Sequence, residues 1–353
     1  MPTHNEETGV LCVKTKCLTQ NEIELAAAIL KEGGLVGIPT ETVYGLGANG
    51  LDPKAVADIF TAKGRPQDNP LILHIPEVGW LERYCQDIPE SAYALAQAFW
   101  PGPLTMVLPR RDNVPDVVTA GLDTVGMRCP GHDLCRQIIA LAGVPVAAPS
   151  GNTSGRPSPT TAQHMLEDMD GKIHAIVDGG ACGVGVESTI IDLTCEPPRL
   201  LRPGGVTLEQ LREVLGEVAV DAAVTRQMKA GEKPRAPGMA YRHYAPKAPV
   251  TVVAGDPEKS AAYIAAHAQG QDGIICFDEY LFRFPAQAAA GHVTGVGYAQ
   301  DKQEQARRIF DTLRAFDHTD VTAIWTQCPD TEGIGLAIAN RLNKAAGFHI
   351  IEV

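Results

Sequence analysis

Residues 39–47 read PTETVYGLG and follow directly on the apolar, β-prone run LVGI at 35–38. A buried strand that ends in Thr40, Glu41, Thr42 and Tyr44 is costly unless something polar meets those groups, so the stretch reads as the end of a sheet strand opening into a binding site. Gly45 and Gly47 read as turn formers within it. Upstream, Thr19-x-x-Glu22 is a capping-box signal ahead of Ile23, Ala26, Ala27 and Leu30 at helical spacing, and Gly33-Gly34 is a stop. Downstream, Asp52-Pro53 predicts an N-cap followed by proline at the first helical position, with Val56, Ile59 and Phe60 on one face. Gly64 closes that helix and leaves Lys63 in its last turn. The turn KGRP at 63–66, then Asn69-Pro70 and the run LILHI at 71–75, set cationic and amide groups beside another strand. Polar, rigid and cationic pieces in alternation suit a small zwitterion together with a phosphate.

Further strand-like runs lie at 105–108, 124–127, 144–148, 173–177, 188–192 and 199–201, with helices between several of them, which predicts an α/β sheet. Thr207-x-x-Gln210 is a second capping box and opens a helix that ends near Gly216. The first domain is therefore placed at 1–217. Residues 218–248 lack periodicity and carry PRAPGMAYRHYAPKAP, which reads as a linker. From 249 to 353 the pattern restarts, with strands at 250–253, 273–277, 292–296 and 321–326 and helices at 257–268, 300–316 and 335–346. Regular βαβα order there predicts a smaller, mainly parallel sheet.

At 353 residues with 44% hydrophobic and 20% charged residues, the chain fits a folded protein of two domains. A formal net charge of -12 argues against broad nucleic-acid binding, which needs a basic field to displace counterions. The nine cysteines are scattered and contain no Cys-x-x-Cys, so neither a disulfide framework nor a zinc site is signalled. The N-terminus has no signal-peptide character and no run approaches the length of a membrane span, so a cytoplasmic protein is expected.

Gly45-x-Gly47-x-x-Gly50 matches a dinucleotide fingerprint, with Asp68 as the ribose-binding acid. The match fails on context, because TETVY intervenes between strand and glycines and Asp68 sits in a proline-flanked loop. There is no P-loop and no Gly-x-Ser-x-Gly elbow. The remaining candidates are side chains at strand ends and turns. Lys63 is either a solvated helix end or a phosphate contact. Arg65, held between Gly64 and Pro66, presents a planar fork suited to phosphate oxygens. His74 lies inside the apolar run 71–75, either as a half-buried histidine satisfied within the fold or as a ligand contact. Arg128 ends an apolar strand, where an internal acid and a substrate carboxylate are equally good partners. The small polar run APSGNTSG at 148–155, the stretch GVGVEST at 183–189 and Arg202 before Pro203-Gly204-Gly205 complete the set, since ligands of open α/β sheets gather outside such strand ends.

These motifs, PTETVYGLG, KGRPQDNPLILHI, GMRCP, APSGNTSGRPSPT, GVGVESTIID, LLRPGG and PGMAYRHYAP, resemble in order and spacing the two-domain threonylcarbamoyl-AMP synthases of the YrdC family, from about Thr19 to the C-terminus. In the last domain IGLAIANRLNKAAG is the main matching stretch. The resemblance implies a twisted open α/β sheet with a concave cavity, followed by a small Rossmann-like domain. It implies condensation of L-threonine, bicarbonate and ATP to L-threonylcarbamoyl-AMP with release of pyrophosphate, for N6-threonylcarbamoyladenosine at position 37 of tRNAs reading ANN codons. Carried over by motif, threonine is met by Thr42, His74, Arg128, Ala148 and Ser188. ATP is met by Arg65, Asn69, Thr124, Ser150, Asn152, Ser158 and Arg202, with Tyr241 closing over the pocket. Lys63, Arg65 and Arg202 neutralise charge, no residue acts as a nucleophile, and Mg2+ comes with the ATP phosphates rather than on protein ligands. Partners implied are the downstream threonylcarbamoyl-transfer machinery and tRNA, without stable nucleic-acid binding. Rival readings are an RNA-binding module without ATP turnover, and a carbamoyl-transfer enzyme like the hydrogenase-maturation proteins, whose zinc-finger cysteines this chain lacks.

Overall fold

The structure is a computed structural model that describes residues 14–227, 234–239 and 243–353, together with the backbone of the two-stranded ribbon Thr3–His4 and Leu11–Cys12. An eleven-stranded mixed sheet runs, edge to edge, Ala219–Val220, Arg199–Arg202, Thr189–Asp192, Leu104–Pro109, Thr124–Arg128, Ile72–His74, Val146–Ala147, Gly45–Asn49, Val36–Ile38, Ala175–Val177 and Lys16–Leu18. It is open and twisted, with a large apolar core that includes Leu46, Phe60, Leu73 and Met127 on one side. A second sheet has the order Val293–Gly295, Gly273–Cys276, Ile324–Gln327, Val250–Ala254 and Ile350–Glu352, and every pairing in it is parallel. The last of these strands is short and was not legible in the residue pattern. Among the described residues, no helix is long and apolar enough to cross a membrane.

Local signals are realised where the caps are made by side chains. Asp52 accepts from the backbone N–H groups of Lys54 and Ala55, and Gly64 closes the helix Pro53–Lys63 in the left-handed region at φ 61°. Thr207 and Gln210 form the reciprocal box of the helix Leu208–Leu215. The box at Thr19 forms only by half: Glu22 accepts from the Thr19 amide and hydroxyl, but the Thr19 side chain does not cap the helix Ile23–Lys31. One expectation is corrected. Gly45 and Gly47 are not turn formers but lie in the strand Gly45–Asn49, where a Cβ on Gly47 would come within 2.9 Å of Val146 Cγ1 and 3.2 Å of the Val36 carbonyl. Close strand contact, not a turn, requires glycine there.

The two sheets meet through helices of the second. Val43, Val186 and Tyr244 share one core with Phe310, Leu313 and Ile338, and Tyr244 lies 5.2 Å from the Phe310 ring. Buried ion pairs cross the same contact: Arg314 with Asp168 at 2.8 Å and Arg341 with Glu187 at 2.6 Å. The motif 39–47 is thereby enclosed from both sides.

Candidate active site

Sheet register assembles the site. The parallel strands Ile72–His74 and Thr124–Arg128 pair His74 with Arg128, so both side chains emerge at the same sheet end. Leu104–Pro109 runs antiparallel to Thr124–Arg128, and Thr189–Asp192 runs parallel to Leu104–Pro109, so residues just before these two strands arrive at that end as well. Arg202, last in a strand antiparallel to Thr189–Asp192, joins them. The result is a cavity with about 630 Å³ of empty space including its mouth. Its lining includes Thr40, Thr42, Arg65, His74, Arg128, Ala148, Ser150, Asn152, Glu187, Ser188 and Arg202, joined by Pro237, Gly238, His243 and Tyr244 of the linker.

The opening motif divides its work. Thr40 accepts from the amides of Thr42 and Val43 and donates to the Val43 carbonyl at 2.7 Å, which fixes the turn, and its hydroxyl lies 2.9 Å from that of Thr42. Glu41 forms an ion pair with Arg128, Oε1 to Nη2 at 2.7 Å, so the internal acid foreseen as a partner is present. Burial, the largest single influence, would raise the Glu41 carboxyl, but the Arg128 charge together with hydrogen bonds from the Gly131 backbone and Arg128 outweighs it and the net shift is downward. Arg128 is 4% exposed; its Nη2 is taken up by Glu41, while its Nε has no partner among the described residues. The guanidinium therefore keeps an Nε donor that a second anion can take. Tyr44 turns away into the core and donates to the Gly180 carbonyl.

His74 is buried, and that burial, reinforced by the neighbouring Arg128, lowers its pKa to about 3, so it is a neutral imidazole at physiological pH. His243 is likewise lowered to about 3, by burial first and then by Lys344 and Arg65, and its Nε2 has no partner among the described residues. Ser188 Oγ lies 2.8 Å from Thr105 Oγ1. Arg202 is buried and donates to the Ser188 carbonyl through Nε (3.1 Å) and Nη2 (2.9 Å), and to the Pro237 carbonyl through Nη1 (3.1 Å). Burial lowers it to about 10, and the charge remains. Gly204 permits this junction, because a Cβ there would lie 2.3 Å from the Glu187 carbonyl and 2.4 Å from the Thr189 amide.

Not every expected residue reaches the lining. Lys63 is 2% exposed and donates to the carbonyls of Ser150 and, at 2.6 Å, Asn152. Burial pushes its ammonium well below the ordinary lysine range. In this structure Lys63 braces the 150–152 loop from beneath, beside the pocket lining and not in it. Ser158 is fully buried behind the lining and donates to Glu187 Oε1 at 2.5 Å. Asn69 is 0% exposed and neither side-chain polar atom has a partner among the described residues. Thr124 stands four residues before Arg128 on the same strand face, roughly 13 Å away along the strand. Tyr241 lies outside the described residues. Glu187, to which the motifs assigned no role, is held by Arg341, Arg202 and Ser158, which together overcome the upward push of burial and lower its pKa. Its closest charged partner, Arg341, comes from a helix 154 residues away, so no local pattern announced it.

Residues 28–204 match the Sua5/YciO/YrdC family model, described as "Telomere recombination", and residues 206–347 match the model described as "Threonylcarbamoyl-AMP synthase, C-terminal domain". A Pyrococcus abyssi protein named threonylcarbamoyl-AMP synthase is 48% identical over 94% of this chain and 96% of its own length. The chain belongs to the threonylcarbamoyl-AMP synthase family. A Bacillus subtilis protein of the same name is 46% identical, with 94% of each chain covered. Among solved structures, the crystal structure of P. abyssi Sua5 complexed with L-threonine is similar with a TM-score of 0.85 and 45% identity, covering 96% of this chain and 99% of that one. The family's two-domain α/β architecture is therefore the fold of this chain.

Titration of the two buried histidines and of Glu41 and Glu187 has one sign. The unfolded chain binds protons on His74 and His243 near the ordinary 6.5, the folded chain only near 3, so the unfolded state holds more protons across that window. Glu41 and Glu187, lowered from 4.5, add a loss of the same sign below that value. Stability is expected to fall continuously as pH drops from 6.5 toward 3, read as a falling urea midpoint, with a flatter profile in His74→Gln. A midpoint constant between pH 7 and 4 would contradict the burial of these groups.

Proposed function

We propose that this chain is an L-threonylcarbamoyladenylate synthase, a nucleotidyltransferase that condenses L-threonine, bicarbonate and ATP to L-threonylcarbamoyl-AMP and pyrophosphate. The product would pass in the cytoplasm to the machinery that forms N6-threonylcarbamoyladenosine at position 37 of tRNAs reading ANN codons. The observation that carries the reading is a buried Arg128 with a spare Nε donor beside a neutral His74 and the hydroxyls of Thr42 and Ser188, in a pocket whose rim holds Arg65. The family relationship and the L-threonine complex of the P. abyssi protein support it.

In this reading the threonine carboxylate docks on Arg128, and Thr42, Ser188 and the Ala148 backbone fix the rest of the amino acid. The amine captures bicarbonate with loss of water; the carbamate oxygen then attacks the α-phosphorus, and the bond to pyrophosphate breaks. Nucleotide phosphates lie toward Arg65, Ser150, Asn152 and Arg202, and the buried, unpaired Asn69 amide suits a nucleotide hydrogen bond. A nucleotide extended along the sheet face would reach Thr124. Tyr241, on the linker, would close the site. The protein supplies position and charge rather than a nucleophile. Glu187, the acid of the lining, already has Ser158 and Arg341 on its two oxygens, and no cluster of three or more metal-binding side chains occurs among the described residues. Such a donor set fits Mg2+ carried by ATP phosphates, where it supplies charge neutralisation. Mass spectrometry of the complete mixture is expected to detect threonylcarbamoyl-AMP, and EDTA to abolish it; AMP without the conjugate would contradict the reading.

A further inference from the structure

Two walls of the cavity are held from outside the first sheet. One is Glu187-Ser188, just before the strand Thr189–Asp192; the other is residues 237–239 of the linker. The helix Gly335–Ala345 of the second sheet reaches both. Arg341, 0% exposed, donates Nε to Glu187 Oε2 at 2.6 Å and Nη2 to the Pro203 carbonyl at 3.0 Å. Lys344, 4% exposed and one turn further along, donates Nζ to the carbonyls of Gly238 and, at 3.4 Å, Met239. Asn340 Nδ2 donates to the Val224 carbonyl at 2.7 Å, near the start of the linker.

A buried polar stripe on a helix is expensive unless each group is satisfied, and general interface adhesion would be met more cheaply by apolar residues. Here the partners are not scattered over the interface. Arg341 reaches the pocket wall at Glu187, and Lys344 reaches the pocket wall at Gly238. From inside the cavity Arg202 binds the same two walls, at Ser188 and Pro237. The walls are thus clamped between a cation of the first sheet and two of the second. Gly238 sits at φ 81°, and a Cβ there would lie 3.1 Å from the Tyr244 hydroxyl, so this wall has little room to shift.

We propose that Lys344, backed by Arg341, is a positioning residue for the synthase reaction: it holds the linker wall at Gly238-Met239 against the pocket, so that the second domain sets the geometry and dryness of a site to which it contributes no lining residue from its own sheet. The inference rests on the synthase reading for its kinetic consequence, not for its structural one. Burial, with Arg341 and Arg202 nearby, lowers the Lys344 ammonium to about 7, which is consistent with an amine placed where the site needs a donor more than a charge.

The test compares wild type, Lys344→Met and Lys344→Gln in the full chain. Hydrogen exchange without substrates is expected to speed up about tenfold or more for amides of 234–239 in Lys344→Met, the scale of one lost hydrogen bond from a charged donor. With all substrates, kcat is expected to fall about 10- to 100-fold, as for a misplaced wall, and less threonylcarbamoyl-AMP to be recovered per pyrophosphate released. Lys344→Gln, which keeps a donor, should recover part of both. Faster exchange with unchanged kcat and product ratio would reduce Lys344 to interface adhesion and overturn the proposal; unchanged exchange would overturn it too. If wild type makes no product, the synthase reading fails, and the exchange result alone decides whether Lys344 holds the wall. Should Lys344→Met not fold, Lys344→Gln against wild type decides between the same outcomes.

Discussion

In Arg128→Ala, kcat/KM for threonine falls by about 10²- to 10³-fold, equivalent to about 3–4 kcal/mol, while KM for ATP moves far less. The size follows from the site: a 4% exposed guanidinium with an unfilled Nε donor is the strongest available partner for a carboxylate, and water cannot replace it at that depth. Part of the loss comes from Glu41, which the substitution strands beside the pocket without its ion-pair partner. The double variant Glu41→Gln, Arg128→Ala separates the two contributions, because it removes the stranded charge and leaves only the missing threonine contact. Steady-state kinetics with each substrate varied in turn reads the difference. Equal losses for threonine and ATP would remove Arg128 from the amino-acid side.

The largest expected effect on stability lies at Asp168. Its side chain is fully buried and accepts from Arg314 Nη2 at 2.8 Å, from Arg156 Nη1 and from the Thr153 amide at 3.0 Å. Arg314 comes from the second domain's helix Lys302–Ala315, and Arg156 Nη2 also meets Asp317 at 3.0 Å, so the cluster joins both sheets under the 150–156 loop. Asp168→Ala removes the close counter-charge of Arg314, 1% exposed, leaving only the longer 3.7 Å pair with the partly exposed Glu167, and is expected to cost about 3–5 kcal/mol in urea unfolding. Asp168→Asn, which keeps an acceptor, should cost less. A change below about 1 kcal/mol, the scale of an exposed pair, would mean that the cluster contributes no more than surface charge.

Features written locally were legible in the sequence. Asp52-Pro53 and Gly64, the box at Thr207, the strand that carries His74 and the one that ends on Arg128 all depend on neighbours within a few residues, and each forms where the spacing predicts. What the sequence left obscure depends on distance along the chain. Glu187 meets Arg341 across 154 residues and Arg314 meets Asp168 across 146, contacts that no periodicity reports. The direction of a long side chain is equally hidden, and so Lys63, correctly placed in the last helical turn, turned out to brace the 150–152 loop. Gly45 and Gly47 show the third limit: glycine marks a place where a side chain does not fit, and only the paired strands tell whether a turn or a close neighbour forbids it.

In the proposed reaction the pocket needs an amino acid and an inorganic carbon source before ATP reacts. Pyrophosphate release from ATP, measured with threonine and bicarbonate each omitted in turn, tests this most directly. Release is predicted to fall to background in either omission and to appear only in the complete mixture; release that ignores threonine would contradict the proposed chemistry.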